Sequence, residues 1–144
     1  MAPTAVLARP PAATTADTPT TDGTVGIREA ARLSGVPPHT LRWYEQIGLV
    51  PGIRRCAAGR RRYSRTDLRW IGVLRALRDT GMSVADLQDL AEQSSAGRVD
   101  RAVLVLRLHR ARVLALMVRL QGGLGLLDAV EADLRRSPTT VPVR

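Results

Sequence analysis

The 144-residue chain has no lysine and no phenylalanine, a single cysteine and two histidines. The one thiol, Cys56, permits no internal disulfide and no cysteine cluster for zinc. His39 has no nearby Cys, Asp or His with which to hold a metal. His39 and His109 form no visible catalytic set, so neither an enzyme nor a bound cofactor is expected. No run of 18 apolar residues occurs, which argues against a membrane span. The N-terminus lacks the apolar core of a signal peptide, so a cytoplasmic location is expected. Aromatic residues are only 3% of the chain, so its core must be Leu, Val, Ile and Ala; the hydrophobic content of 44% suffices for one. With lysine absent, all 22 basic residues are Arg, and they leave a net charge of +9. GC-rich coding accounts for Arg over Lys, but not for the excess of charge. That excess points to a polyanion partner.

Residues 1–24 are rich in Ala, Pro and Thr and offer little apolar surface to offset their ordering entropy, so a disordered tail is expected there. Ile27, Ala30, Ala31 and Leu33 predict a short helix over 27–34. Gly35 suits its end, and Pro37-Pro38 opens a second helix. That helix, Pro38-His39-Thr40-Leu41-Arg42-Trp43-Tyr44-Glu45-Gln46, stops at Ile47-Gly48. Two short helices joined by a Gly-containing turn are the parts of a helix-turn-helix, whose second helix can enter the DNA major groove. Leu41 and Tyr44 share one face, with Leu41 as core anchor. Arg42 either contacts phosphate or base, or pairs with Glu45 three residues on. Trp43 either packs or lies along a DNA backbone.

Ile53-Arg54-Arg55 and Arg61-Arg62-Tyr63 flank Ala57-Ala58-Gly59, as in a small hairpin with Gly at its turn. The arginines of so short a ribbon repel one another unless an anion lies alongside. Ser64 begins a third helix, with Asp67 at the capping-box position; Leu68, Ile71, Leu74 and Leu77 follow, and Trp70 and Val73 widen the stripe. Thr80-Gly81 ends it. Ser83 and Asp86 open a fourth helix bearing Val84, Leu87 and Leu90. Ser94-Ser95-Ala96-Gly97 reads as a loop.

The last third is one helical pattern. Val99, Val103, Leu106, Arg110, Val113, Met117, Leu120, Leu124 and Leu127 recur in steps of four and three, continued by Glu131 and Leu134. Such a seam needs a partner helix, from a second copy of the chain or from the chain's own domain. Leu104, Leu108, Leu114 and Leu116 lie off the seam and suggest contact with the preceding domain. Gly122, Gly123 and Gly125 predict a kink or fraying after Gln121. Residues 137–144, with Pro138 and Pro142, read as a flexible tail.

The order helix, turn, helix, Arg-rich ribbon, two helices and long heptad helix resembles the mercury-regulator (MerR) family of bacterial transcription regulators. The residues that carry the resemblance are Ile27, Ala31, Gly35, Thr40-Leu41-Arg42-Trp43-Tyr44-Glu45, Gly48-Leu49, Gly59, Arg61, Tyr63-Ser64, Asp67-Leu68, Leu77-Arg78, Gly81-Met82 and Leu87. It implies an all-α fold with a small β-hairpin wing: a winged helix-turn-helix domain over 25–93, then a long antiparallel coiled-coil dimerisation helix over 98–136. It further implies a homodimer on a palindromic promoter, distorting the double-stranded DNA and so acting on RNA polymerase indirectly. By position, Thr40, Arg42, Trp43 and Tyr44 match the family's recognition-helix contacts. Arg61 matches the wing arginine and Tyr63 the tyrosine closing the wing. His39 occupies a variable, often base-facing position, and Arg60 and Arg62 add phosphate grip. Dimerisation falls to Val99, Val103, Leu106, Val113, Met117, Leu120, Leu124 and Leu127. The pattern is similar to an aldehyde- and thiol-responsive subgroup, but its sensor cysteine aligns with Ala76 here. Cys56 lies in the wing instead, among arginines that favour thiolate. A non-specific nucleoid-type DNA binder and a coiled-coil interaction module are the alternatives.

Overall fold

The computed structural model describes residues 23–136. The tails expected over 1–24 and 137–144 therefore lie outside the described residues, apart from Gly23 and Thr24. The elements in order are α1 (Ile27–Ser34), α2 (Pro38–Gln46), β1 (Arg54–Arg55), β2 (Arg61–Arg62), α3 (Arg65–Asp79), α4 (Val84–Ser95) and α5 (Val99–Arg136). The described residues divide into two compact units, 23–107 and 108–136.

In the first unit, α1 is short because Gly35 follows it at φ 66°, a left-handed conformation that stops the helix as its N–H donates to Ala31 O. A side chain at Gly35 would also collide with the Arg75 guanidinium, which donates to Ser34 O at 3.0 Å. The buried Ser34 hydroxyl donates to Ala30 O and accepts from Val36 N–H, so the turn is fully bonded. Neither Gly26 nor Pro37 supplies a side-chain cap. Pro38 in the first turn offsets this by fixing φ where no N–H partner is needed.

α3 begins on the expected capping box: the Ser64 hydroxyl accepts from Asp67 N–H, and Asp67 accepts from Ser64 N–H. Ser64→Ala is expected to cost about 1 kcal/mol. That is a fall of roughly 4–8 °C in melting temperature for a domain this small. A thermal melt unchanged within about a degree would mean that the cap contributes nothing.

α3 and α4 hold the helix-turn-helix from behind. Trp70 Nε1 donates to Leu49 O at 2.7 Å, and Gln88 Nε2 to Ile47 O at 3.0 Å. Leu41, Tyr44, Leu49, Ile71, Leu74, Met82, Leu87 and Leu90 form one buried cluster with Tyr63 and Trp70. The bulk is aliphatic, as the scarcity of aromatics required.

Three expectations are corrected. Ser94 and Ser95 are the last turn of α4, not loop; the positive φ that breaks the chain is available only at Gly97. α5 stays helical through Gly122, Gly123 and Gly125, so the fraying expected after Gln121 does not occur. Glycine weakens a helix by about 1 kcal/mol but leaves its hydrogen-bond ladder intact, and long Leu-rich flanks carry it. Lastly, Leu104, Leu108, Leu114 and Leu116 are exposed. The residues of α5 that pack on the first unit's core are Ala102, Val105 and Leu106. They are spaced i, i+3, i+4 on one face, and Ala102 is small enough to let the helix approach closely.

The second unit is the remainder of α5. Met117, Leu120, Leu124, Leu127 and Leu134 are each more than half exposed, as are Val118 and Leu126. By length and composition alone α5 could cross a membrane, and none of its most apolar stretch is buried in its own chain.

Candidate nucleic-acid interface

The exposed face of α2 follows from its inward face. With Leu41 and Tyr44 buried, helical geometry turns His39, Arg42 and Trp43 outward, and all three are exposed; Thr40 is half-buried. Trp43 keeps 39% of its surface open and meets Tyr44 at a ring-centroid distance of 5.6 Å. It thus lies at the edge of the core with a free face.

The hairpin sits beside this helix. β1 and β2 pair antiparallel with Arg54 opposite Arg62 and Arg55 opposite Arg61. Cys56 N–H donates to Arg60 O, and Gly59 N–H to Cys56 O. Gly59 at φ 72° makes so tight a turn possible. Arg55 Nη1 closes it onto Gly59 O at 3.2 Å. Backbone N–H groups of Arg60 and Ala58 aimed at the Cys56 thiol hold its pKa below the ordinary value. Beyond β2, Val25 and Tyr63 exchange backbone hydrogen bonds at 2.9 and 2.8 Å, adding a third short strand segment.

Two facing Arg–Arg pairs demand a counter-charge, and the chain supplies part of it from α2. The Glu45 carboxylate accepts from Arg61 Nε and, at 3.3 Å, from Arg55 Nη2. Both Glu45 and Arg61 are about three-quarters buried. Glu45 is therefore the joint between α2 and the hairpin, and it is not the partner of Arg42. Sequence reading missed this role, although the crowding of arginines was its signal.

The structure sorts the residues expected at this site. His39, Arg42, Trp43 and Arg60 face solvent together with Arg54 and Arg55, the first-strand arginines of the ribbon. Among the described residues Arg42 has no salt bridge. Arg61 and Arg62 face inward: Arg61 is held by Glu45, and Arg62 donates to Thr24 Oγ1 and O at 3.2 and 2.8 Å. Tyr44 and Tyr63, expected among the DNA contacts, are 5% and 1% exposed. Their rings are core, because both segments must bury an apolar face and the chain has no Phe to do it. Burial raises the pKa of both hydroxyls, and Glu45 raises that of Tyr63 further. The Tyr63 hydroxyl has no hydrogen-bond partner among the described residues. No three His, Cys, Asp or Glu side chains gather into a metal-holding group among the described residues.

Comparison with known proteins agrees with this geometry. Residues 26–94 match the family model described as MerR HTH family regulatory protein. An HTH-type transcriptional regulator of Haemophilus influenzae is 39% identical over 69 residues, 48% of this chain and 51% of that protein. AdhR of Bacillus subtilis, also an HTH-type transcriptional regulator, is 33% identical over 79 residues, 55% of each chain. The chain thus spans about half the length of the curated relatives it matches. Among solved structures, a MerR family transcriptional regulator from Listeria monocytogenes superposes with a TM-score of 0.72 and 31% identity, over 79% of this chain and 87% of that one. HiNmlR, a MerR family regulator lacking the sensor domain and solved bound to promoter DNA, gives a TM-score of 0.71 and 28% identity, over 81% and 94%.

Proposed function

The chain belongs to the MerR family of helix-turn-helix regulatory proteins, and from that membership we propose that it is a sequence-specific transcription regulator. The observation that carries this reading is the exposed face of α2, with His39, Arg42 and Trp43, set beside an arginine wing that Glu45 holds in place. Arg42, Arg54, Arg55 and Arg60 dock on phosphates. His39 and Thr40, in the first turn of α2, reach base edges, and Trp43 lies along the sugar-phosphate backbone. Arg61, Arg62, Tyr44 and Tyr63 position these groups from behind. That HiNmlR was solved on promoter DNA supports the same use of this surface.

The protein acts as a homodimer joined through α5, along Val99, Val103, Val113, Met117, Leu120, Leu124 and Leu127. Leu106 serves this seam only in part, since it also packs on its own core. Charges at Arg110, Arg112, Arg119, Asp128 and Glu131 along α5 favour a partner helix over a lipid phase. Paired heads then meet two half-sites of a palindromic promoter and distort the duplex, which acts on RNA polymerase indirectly. The setting is cytoplasmic.

Selection of genomic fragments with the purified full chain tests this. The expected result is enrichment of one palindromic element, bound about 10³-fold or more tighter than random DNA. Equal affinity for promoter and random fragments would replace the reading with a non-specific, charge-driven binder.

A further inference from the structure

The exposed seam of α5 is apolar from Val113 to Leu127 and bears a charge at each end, Arg110 and Glu131. Among the described residues Arg110 has no ion pair, and no acid stands three or four positions from it on the helix. Glu131 is the seam's one acid over this stretch; Asp128 and Asp133 lie off it. Arg110 and Glu131 stand three heptads apart, about 30 Å along the helix axis.

Resting on the homodimer reading, we propose that Arg110 of each copy pairs with Glu131 of the partner, and that these two symmetric contacts set the orientation and register of the α5–α5 interface. Parallel, in-register pairing would stack Arg110 on the partner's Arg110 and Glu131 on the partner's Glu131, two like-charge contacts at the edge of an apolar seam. Antiparallel pairing about a two-fold axis beside Leu120 and Gln121 does the reverse. It brings Arg110 level with the partner's Glu131 to within one seam layer, a span that an arginine side chain covers. The same alignment sets Met117 level with the partner's Leu124, Leu120 beside the partner's Leu120 and Val113 beside the partner's Leu127, so the apolar block closes on itself. Sliding the helices by one heptad leaves both arginines unpaired and exposes Leu at each end. The ion pairs thus select one arrangement; the Leu and Met layers supply the affinity. Glu131 is more than half exposed and, among the described residues, pairs within its own helix only with Arg135, itself exposed.

A charge-reversal cycle on the full chain, read by sedimentation equilibrium, tests the pairing. Arg110→Glu and Glu131→Arg should each raise the dimer dissociation constant about tenfold or more, and the double reversal should return it to within about threefold of the parent. Asp133→Arg is the matched control. It breaks a similar intrahelical ion pair, to Arg136 at 3.3 Å, but off the seam, and should change the constant less than about threefold. Parent-like dimerisation of both single reversals, or failure of the double to recover, overturns the pairing and leaves the homodimer reading standing. A monomeric parent overturns both.

Discussion

Replacing Leu41 by alanine is expected to remove about 2–5 kcal/mol of stability, the range for a large aliphatic truncated in a packed core. Leu41 is 1% exposed, and it shares its cluster with Val36, Tyr44, Ile71 and Leu74. It is also what fixes the rotation of α2. With nine residues the helix is too short to persist without tertiary packing, so the cavity acts on the element that carries His39 and Arg42. Total stabilities are only about 5–15 kcal/mol, and this one change consumes a large share. In urea unfolding followed by circular dichroism at fixed protein concentration, the midpoint should fall by roughly 1–3 M with an unchanged slope. His39→Ala, on the exposed side of the same helix, should stay within about 0.5 kcal/mol of the parent. A loss below about 1 kcal/mol at Leu41 would mean that α2 is anchored elsewhere.

What could be read from sequence here is what depends on near neighbours. The Ser64–Asp67 box joins residues three apart, Gly35 stops α1 through its own φ, and the hairpin follows from a Gly-containing turn between two short arginine segments. Each needs only local stereochemistry. The contacts that sequence reading missed join distant residues at an angle set by tertiary packing. Glu45 meets Arg55 and Arg61 across 10 and 16 residues, and Val25 pairs with Tyr63 through the backbone alone, which no side-chain pattern records.

The burial of Tyr44 and Tyr63 has a related cause. A tyrosine suits an interface or a core equally well, and only the packing of α3 behind α2 decides between them. The heptad of α5 shows how one pattern can hold two uses. Leu106 keeps the seam spacing, yet with Ala102 and Val105 it also fits the face that packs on the first unit. Periodicity reports that a stripe is covered, not what covers it.

The wing arginines separate under alanine substitution according to where their guanidinium groups lie. Arg60 is exposed at the hairpin turn. Its loss should lower the salt slope of DNA binding by about 0.9, the counterion release of one phosphate contact, with the melting temperature unchanged. Arg61 is held by the Glu45 carboxylate, and its loss should act differently. Glu45 would keep only Arg55, at 3.3 Å, in a largely buried position. Losing one charge-assisted hydrogen bond there costs about 1–3 kcal/mol, so the melting temperature should fall. Affinity should drop for every sequence by about tenfold or more, because the wing loses its anchor to α2 and an under-compensated carboxylate is left close to the phosphates. Glu45→Gln in the Arg61→Ala background removes that negative charge and should recover part of the affinity, which a lost phosphate contact would not permit. If Arg61→Ala instead lowers the slope by about 0.9 at constant melting temperature, and Glu45→Gln restores nothing, then Arg61 leaves Glu45 on binding and grips DNA itself.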